Sequence, residues 1–246
     1  SGGEFSLYAW GMNQVGELGI NTPGSRSSPI QVPGTTWSTL PHQTADANHT
    51  TAIKSDGTLW IWGNNGSGEL GLNQAYPGLN GASSPIQIPG SWSSSGASAS
   101  ATLAVKTDGT LWSWGYNGRG GLGLGDKNYR SSPTQVPGTW STNSYLLGSL
   151  GMYNGAINTD GELWMWGRND YGQLSQNNRT ERNSPVQVPG TNWRSIGGAG
   201  QGILATKTDG TLWAWGYNHQ GQLAQNNTTT YSSPVQIPGT TWGEVT

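Results

Sequence analysis

Cysteine is absent from all 246 residues. Disulfide staples and thiolate chemistry are therefore excluded. Charge is scarce, with 11 Lys and Arg against 13 Asp and Glu, together 10 % of the chain. A net charge of −2 gives no cationic footprint for nucleic acid or for an anionic membrane. No apolar run approaches the roughly 18 residues that a membrane-spanning helix needs. No charged-then-apolar leader opens the chain, and Ser1-Gly2-Gly3 reads as a linker or a trimmed end. Histidine occurs only at His42, His49 and His219, none with a second ligand at zinc-like spacing. No nucleophile elbow accompanies them. Metal and cofactor chemistry are therefore not expected.

What the chain has instead is repetition. It holds 40 Gly, 14 Trp and 9 Tyr. One aromatic tetrapeptide returns as Tyr8-Ala9-Trp10-Gly11, Trp60-Ile61-Trp62-Gly63, Trp112-Ser113-Trp114-Gly115, Trp164-Met165-Trp166-Gly167 and Trp213-Ala214-Trp215-Gly216. The second aromatics at 10, 62, 114, 166 and 215 are 52, 52, 52 and 49 residues apart. A period of that size means a stack of one supersecondary unit.

The third copy serves as template. Thr102–Lys106 is a short apolar strand, Asp108-Gly109 a turn, and Leu111–Trp114 the returning strand. Asp-Gly provides the positive φ that a tight hairpin demands. It recurs at Asp56-Gly57, Asp160-Gly161 and Asp209-Gly210. An Asn-x-x-Gly-x-Leu unit follows, as in Asn117, Gly120 and Leu122. Asn and Gly tolerate left-handed backbone, and the Leu is placed to plug the gap between neighbouring sheets. After a variable loop comes Ser-Ser-Pro-x-Gln-(Val/Ile)-Pro-Gly, as in Ser131–Gly138. Prolines cannot donate to a ladder, so this strand belongs at a sheet's outer edge. A tryptophan then follows each Pro-Gly, at Trp37, Trp92, Trp140, Trp193 and Trp242. These five and the nine of the tetrapeptides are all 14, so no tryptophan is expected to remain for a ligand. Short antiparallel strands with turns at every step predict four-stranded blades set radially, with a linear solenoid as the rival arrangement.

These motifs resemble the repeats of the RCC1 (regulator of chromosome condensation) family. The residues that carry the likeness are Asp-Gly-Thr-Leu-Trp-x-Trp-Gly, Asn-x-x-Gly-x-Leu-Gly and Ser-Ser-Pro-x-Gln-(Val/Ile)-Pro-Gly, which recur over nearly the whole chain. The resemblance implies an all-β, five-bladed propeller of four-stranded antiparallel blades, one of them composite or incomplete and joining the termini. A single domain over 1–246 is expected, with repeats near 4–50, 51–101, 102–153, 154–202 and 203–246. It implies no single function, because such propellers serve as exchange factors, inhibitors, photoreceptors and surface components. Family members commonly carry seven repeats, and the exchange factors an inserted wedge that does not stand out here. The photoreceptor signature Gly-Trp-Arg-His-Thr is missing, since Trp193-Arg194 is followed by Ser195. The even, Ser/Thr/Asn-rich repeats are most similar to phage and bacterial surface versions.

Other motifs dissolve into the repeat. Gly118-Arg119-Gly120-Gly121-Leu122-Gly123 fits G-x-G-x-x-G but is the third Asn-x-x-Gly unit. Gly125-Asp126-Lys127-Asn128 has one carboxylate, too few for calcium. Asn-x-Ser/Thr sequons stand at Asn48, Asn65, Asn178, Asn226 and Asn227. The loops after each Leu-Gly hold the unusual residues: Arg26, Tyr76, Lys127, Tyr129, Arg130, Arg179, Arg182 and Tyr231. Tyr and Arg are favoured interface anchors, so these are the candidate partner-binding residues. The expected function is a non-enzymatic scaffold or adhesion propeller, virion-borne or extracellular, contacting protein or glycan. Self-assembly through the incomplete blade is part of that expectation. The alternative is a regulator: a small-GTPase exchange factor or an enzyme inhibitor.

Overall fold

The computed structural model of the protein describes residues 5–39, 42–43, 48–74, 80–98, 100–142, 147–149, 152–199 and 201–245. Its regular elements among these are all strands. The first repeat supplies β1 (Tyr8–Gly11) and β2 (Arg26–Gln31). Next come β3 (Trp37–Thr39), β4 (His42–Gln43), β5 (His49–Lys54), β6 (Leu59–Asn64) and β7 (Gly81–Ile88). The third repeat holds β8 (Trp92–Ala97), β9 (Ala101–Lys106), β10 (Leu111–Gly115) and β11 (Arg130–Val136). Then follow β12 (Leu147–Ser149), β13 (Tyr153–Ile157), β14 (Leu163–Gly167) and β15 (Arg182–Gln187). The last set is β16 (Trp193–Ala199), β17 (Gly202–Lys207), β18 (Leu212–Gly216) and β19 (Tyr231–Ile237).

Pairing follows the motifs. The orders are β3-β5-β6-β7, β8-β9-β10-β11, β12-β13-β14-β15 and β16-β17-β18-β19, each antiparallel. β4 adds a short parallel strand to β8. The tryptophan after Pro-Gly opens β3, β8 and β16, whereas Trp140 makes only an isolated bridge to Asn158 ahead of β12; the Ser-Pro strand ends each sheet, as the prolines require. Leu111 faces Val105 across the Asp-Gly hairpin, and Trp114 faces Thr102. Each Trp-Gly carries a register shift against the outer strand, as between Ser113 and Gly115.

The first sheet has two strands among the described residues. Among the described residues β1 pairs with β2 alone. At the other end, Trp242 N donates to Gly210 O and Val245 N to Ser195 Oγ, so this segment lies along the last sheet.

Neighbouring sheets are joined by a repeated device. Trp62, Trp114, Trp166 and Trp215 each donate Nε1–H to a carbonyl of the preceding Asn-x-x-Gly-x-Leu unit. The acceptors are Glu17 O (2.9 Å), Glu69 O (2.6 Å), Gly121 O (2.8 Å) and Gln173 O (2.7 Å). A second-strand side chain shares three of these carbonyls: Thr50, Thr102 and Asn154 on Glu17 O, Glu69 O and Gly121 O. The next residue, Leu18, Leu70, Leu122, Leu174 or Leu223, is buried as the plug. Three copies leave the backbone bare at the following residue: a Cβ on Gly71, at φ +66°, would lie 2.9 Å from the Trp114 indole nitrogen. Ser175 and Ala224 take the same positive φ in the last two copies, at 61° and 52°.

The motif asparagines do something other than the left-handed turn expected of them. Asn13, Asn65, Asn117, Asn169 and Asn218 are fully buried. Asn117 Oδ1 accepts from Leu122 N at 3.0 Å, while Nδ2 donates to Asp126 O and Asn128 O, each 3.0 Å. The side chain thus ties the turn to the loop beyond it and leaves no buried amide unpaired. Asn65, one of the sequons, is held this way and offers no accessible amide.

Candidate protein-interaction surface

The buried asparagine decides what faces solvent. With Asn117 inside and Gly120 pressed against the next sheet at Asn183, the residues around and between them are pushed to the rim. In the third, fourth and fifth repeats these are Tyr116 and Arg119, then Arg168, Asp170 and Tyr171, then Tyr217 and His219. They touch within a repeat and, at Tyr171 and Tyr217, across sheets. Tyr171 lies 4.8 Å from Tyr217 by ring centroid, and Tyr217 lies 4.5 Å from His219. Tyr116 meets Tyr129 at 4.9 Å with the ring planes tilted by 57°.

Charges bind the two halves of this rim. Arg119 pairs with Glu181 and reaches Asp170 at 3.9 Å. Lys127 Nζ sits 2.9 Å from the other Glu181 oxygen, and Arg168 Nε 2.5 Å from Asp170. Burial pushes the Glu181 carboxyl up, but Lys127 and Arg119 outweigh it and hold the group below the usual range. Glu181 in turn raises the Arg119 guanidinium. Partial burial and the neighbouring Tyr116 push the Tyr129 phenol up, so it stays a neutral hydrogen-bonding group at physiological pH. Exposed pairs contribute about 0–1 kcal/mol each, so the network orients side chains more than it stabilises the fold.

The structure sorts the candidate residues. Lys127 and Tyr129 belong to the rim. Arg26 and Arg130 fold back on their own loops, Arg26 to Gly24 O (2.9 Å) and Arg130 to Asn128 O (2.9 Å) and Asp126 (2.6 Å). Arg182 is half-buried in β15, and Arg179 is exposed. Tyr231 is half-buried against the core and accepts from Asn227 Nδ2 at 3.0 Å. Tyr76 lies outside the described residues. Sequence reasoning missed Tyr116, Arg119, Tyr171 and Tyr217. For Tyr116 and Tyr217 the signal was there: the residue after Trp-x-Trp-Gly reads Met12, Asn64, Tyr116, Arg168, Tyr217, varying inside an otherwise fixed motif.

His49 is buried, its Nε2 2.7 Å from Thr102 Oγ1, and burial lowers its pKa to about 3. Thr102 already donates to Glu69 O, so His49 must donate from Nε2, leaving a buried Nδ1 that no described residue hydrogen-bonds. Among the described residues no three His, Asp or Glu side chains gather as metal ligands. Gly118–Gly123 wraps the Asn117 turn, with no helix N-terminus behind it to hold a phosphate.

An all-β propeller built from interlocked Trp-x-Trp-Gly sheets, with a mixed aromatic and charged rim, is the class this geometry defines. The family model for the regulator of chromosome condensation (RCC1) repeat matches residues 6–53, 108–143, 160–202 and 209–245, and a second RCC1-repeat model matches 47–69. The chain belongs to the RCC1-repeat family. It is 28 % identical over 195 residues to the ultraviolet-B receptor UVR8 of Arabidopsis thaliana, covering 75 % of this chain and 42 % of the receptor. Its fold superposes on human WBSCR16 with TM-score 0.75 at 22 % identity, over 94 % of this chain and 61 % of that one. Prp20p of Saccharomyces cerevisiae, studied for its binding to Gsp1p and histones, matches with TM-score 0.73 at 17 % identity, over 96 % and 59 %. The chain thus spans less than half of the plant receptor and about three-fifths of the solved propellers.

Proposed function

We propose that this chain is a non-enzymatic protein-recognition propeller of regulatory type, which grips a partner protein with the rim of its third to fifth repeats. The observation that carries the proposal is the contiguous set Tyr116, Tyr129, Arg119, Tyr171, Tyr217 and His219, joined across three sheets. Tyr and Arg offer large contact area with few rotors, the chemistry of interface hot spots. Prp20p, a relative in fold, is described through its binding to Gsp1p and histones, which favours a protein ligand. The virion or extracellular scaffold expected from composition finds no support in these comparisons, and neither does glycan binding or self-assembly. The test is affinity capture with the purified chain, reconstitution with the captured protein, and hydrogen exchange on the complex. Protection is expected at 116–129 and 168–181. Protection confined to the outer strands β7, β11 and β15 would contradict the rim as the binding face.

A further inference from the structure

Three repeats carry a lysine clamped between two tryptophans. Lys54 Nζ lies 5.0 Å from the Trp37 ring and 4.3 Å from Trp60. Lys106 lies 5.3 Å from Trp92 and 4.0 Å from Trp112, and Lys207 lies 4.7 Å from Trp193 and 4.9 Å from Trp213. The glycine of the Pro-Gly closes a third side: a Cβ on Gly34, Gly90 or Gly190 would meet the lysine's Nζ, Cε and Nζ at 3.4, 3.3 and 3.0 Å. Each site is therefore an aromatic clamp already filled by its own ammonium group.

The fourth repeat keeps the clamp and loses the lysine. Trp140, Trp164 and Gly138 occupy the same places, but Asn158 stands where the others have Lys. Asn158 turns away to cap its own hairpin, its Oδ1 accepting from Asp160 N (3.0 Å) and Glu162 N (2.9 Å). Its Nδ2 donates to Glu162 Oε2 at 2.7 Å. Elsewhere the aspartate does this capping, as Asp108 does for Thr110. A cavity of about 550 Å³ lies here, lined by Gly138, Trp140, Asn158 and Trp164, with Leu124 and Pro185 opposite. Charge changes as well. The Lys-x-Asp-x-Thr of the other repeats becomes Asn158-x-Asp160-x-Glu162, one cation fewer and one carboxylate more.

From this vacated clamp we infer a binding site for an alkylammonium group, held between Trp140 and Trp164 beside the Glu162 carboxylate. The molecule displays the fitting ligand three times over, in Lys54, Lys106 and Lys207. Two indole faces attract a cation through their quadrupoles, and a neighbouring carboxylate adds a full charge. A free alkylammonium ion and the lysine side chain of a protein share this chemistry. The inference stands apart from the rim and survives if the rim reading fails.

The test titrates the intact chain with n-butylammonium and tetramethylammonium chloride at constant ionic strength. Readouts are the indole ¹H–¹⁵N signals and tryptophan fluorescence. Saturable shifts are expected at the Trp140 and Trp164 indoles, with none from neutral 3,3-dimethyl-1-butanol. Asn158→Lys installs the internal ligand that three repeats already tolerate, so it should fold and abolish binding. Glu162→Thr should weaken binding at least threefold. A lysine peptide serves as the second arm, against its norleucine counterpart. Tighter binding of the peptide than of butylammonium marks a protein side chain as the ligand, and the reverse order marks a free ion. Absence of saturable shifts with every cation, equal binding of the neutral alcohol, or undiminished binding by Asn158→Lys would overturn the site.

Discussion

Asn117 shows how much one buried amide does here. It accepts one backbone N–H and donates to two carbonyls, and its four counterparts are as deeply buried. Asn117→Asp keeps the size but sets an acceptor against Asp126 O and Asn128 O. We expect a loss of about 2–4 kcal/mol from leaving buried carbonyls unpaired and burying a charge, read by urea denaturation. The recurrence of these asparagines was legible in sequence, but their role was not. Their partners are backbone carbonyls nine and eleven residues on, in loops whose side chains vary. His49 allows a sharper test. Its folded pKa of about 3 lies below the ordinary 6.5. Its contribution is thus fully present above pH 6.5. As pH falls below that value the unfolded chain takes up a proton the folded chain refuses, costing about 1.4 kcal/mol per unit until near pH 3. Buried Glu69 has its pKa raised by desolvation, so it opposes this trend where it protonates first in the folded chain. Urea melts at pH 7.5 and 5.5 should show the loss in the parent chain and a flatter response in His49→Gln. An unchanged pH slope in the variant would remove His49 as the cause.

At the scale of the element, the paired tryptophans of each arm have separate duties. Trp114 is fully buried and bonded to Glu69 O, while Trp112 is half-buried, bonded to Thr110 Oγ1 and set under Lys106. They stand two apart and so share one face, divided between the joint and the sheet's own clamp. Trp114→Ala should cost about 3–5 kcal/mol, the range for a large aromatic removed from a packed core. Trp10 occupies the same motif slot but is 62 % exposed, so Trp10→Ala should change stability by no more than about 0.5 kcal/mol. Equal effects in thermal melts of the two variants would refute the assignment of the joint. Hairpins, outer strands and the Leu plugs were readable because Asp-Gly, Pro and apolar periodicity act locally. The expectation that packing consumes every tryptophan does not hold at Trp10 and Trp242, which are 62 % and 42 % exposed, whereas Trp164 packs half-buried against the core. Counting aromatics cannot show that Asn158 has turned away from the space between two of them.

At the scale of the molecule, the rim and the joints draw on different residues, which makes binding and stability separable. The rim was only half legible: Lys127 and Tyr129 came from the variable loops, whereas Tyr116, Arg119 and Tyr171 hid beside an architectural motif. Which loops lie together depends on the sheet order, and no single repeat encodes that. The prediction that follows concerns Tyr116→Ala/Arg119→Glu/Tyr171→Ala. These side chains are half-buried and meet their neighbours Tyr129, Asp170 and Tyr217 through exposed ion pairs and ring edges. Exposed ion pairs contribute about 0–1 kcal/mol and aromatic pairs about 0.5–1.5 kcal/mol, so losing two of each should cost the triple variant no more than about 5 kcal/mol, and it should still melt cooperatively. An interface centred on such anchors loses 2 kcal/mol or more for each true hot spot, so affinity for a captured partner should fall at least about 30-fold. The control is Trp114→Ala, which should behave in the opposite way: a large stability loss, with partner affinity kept at temperatures where the variant remains folded. If the triple variant binds its partner as tightly as the parent, the rim is ordinary surface. The search would then move to the outer faces of the sheets.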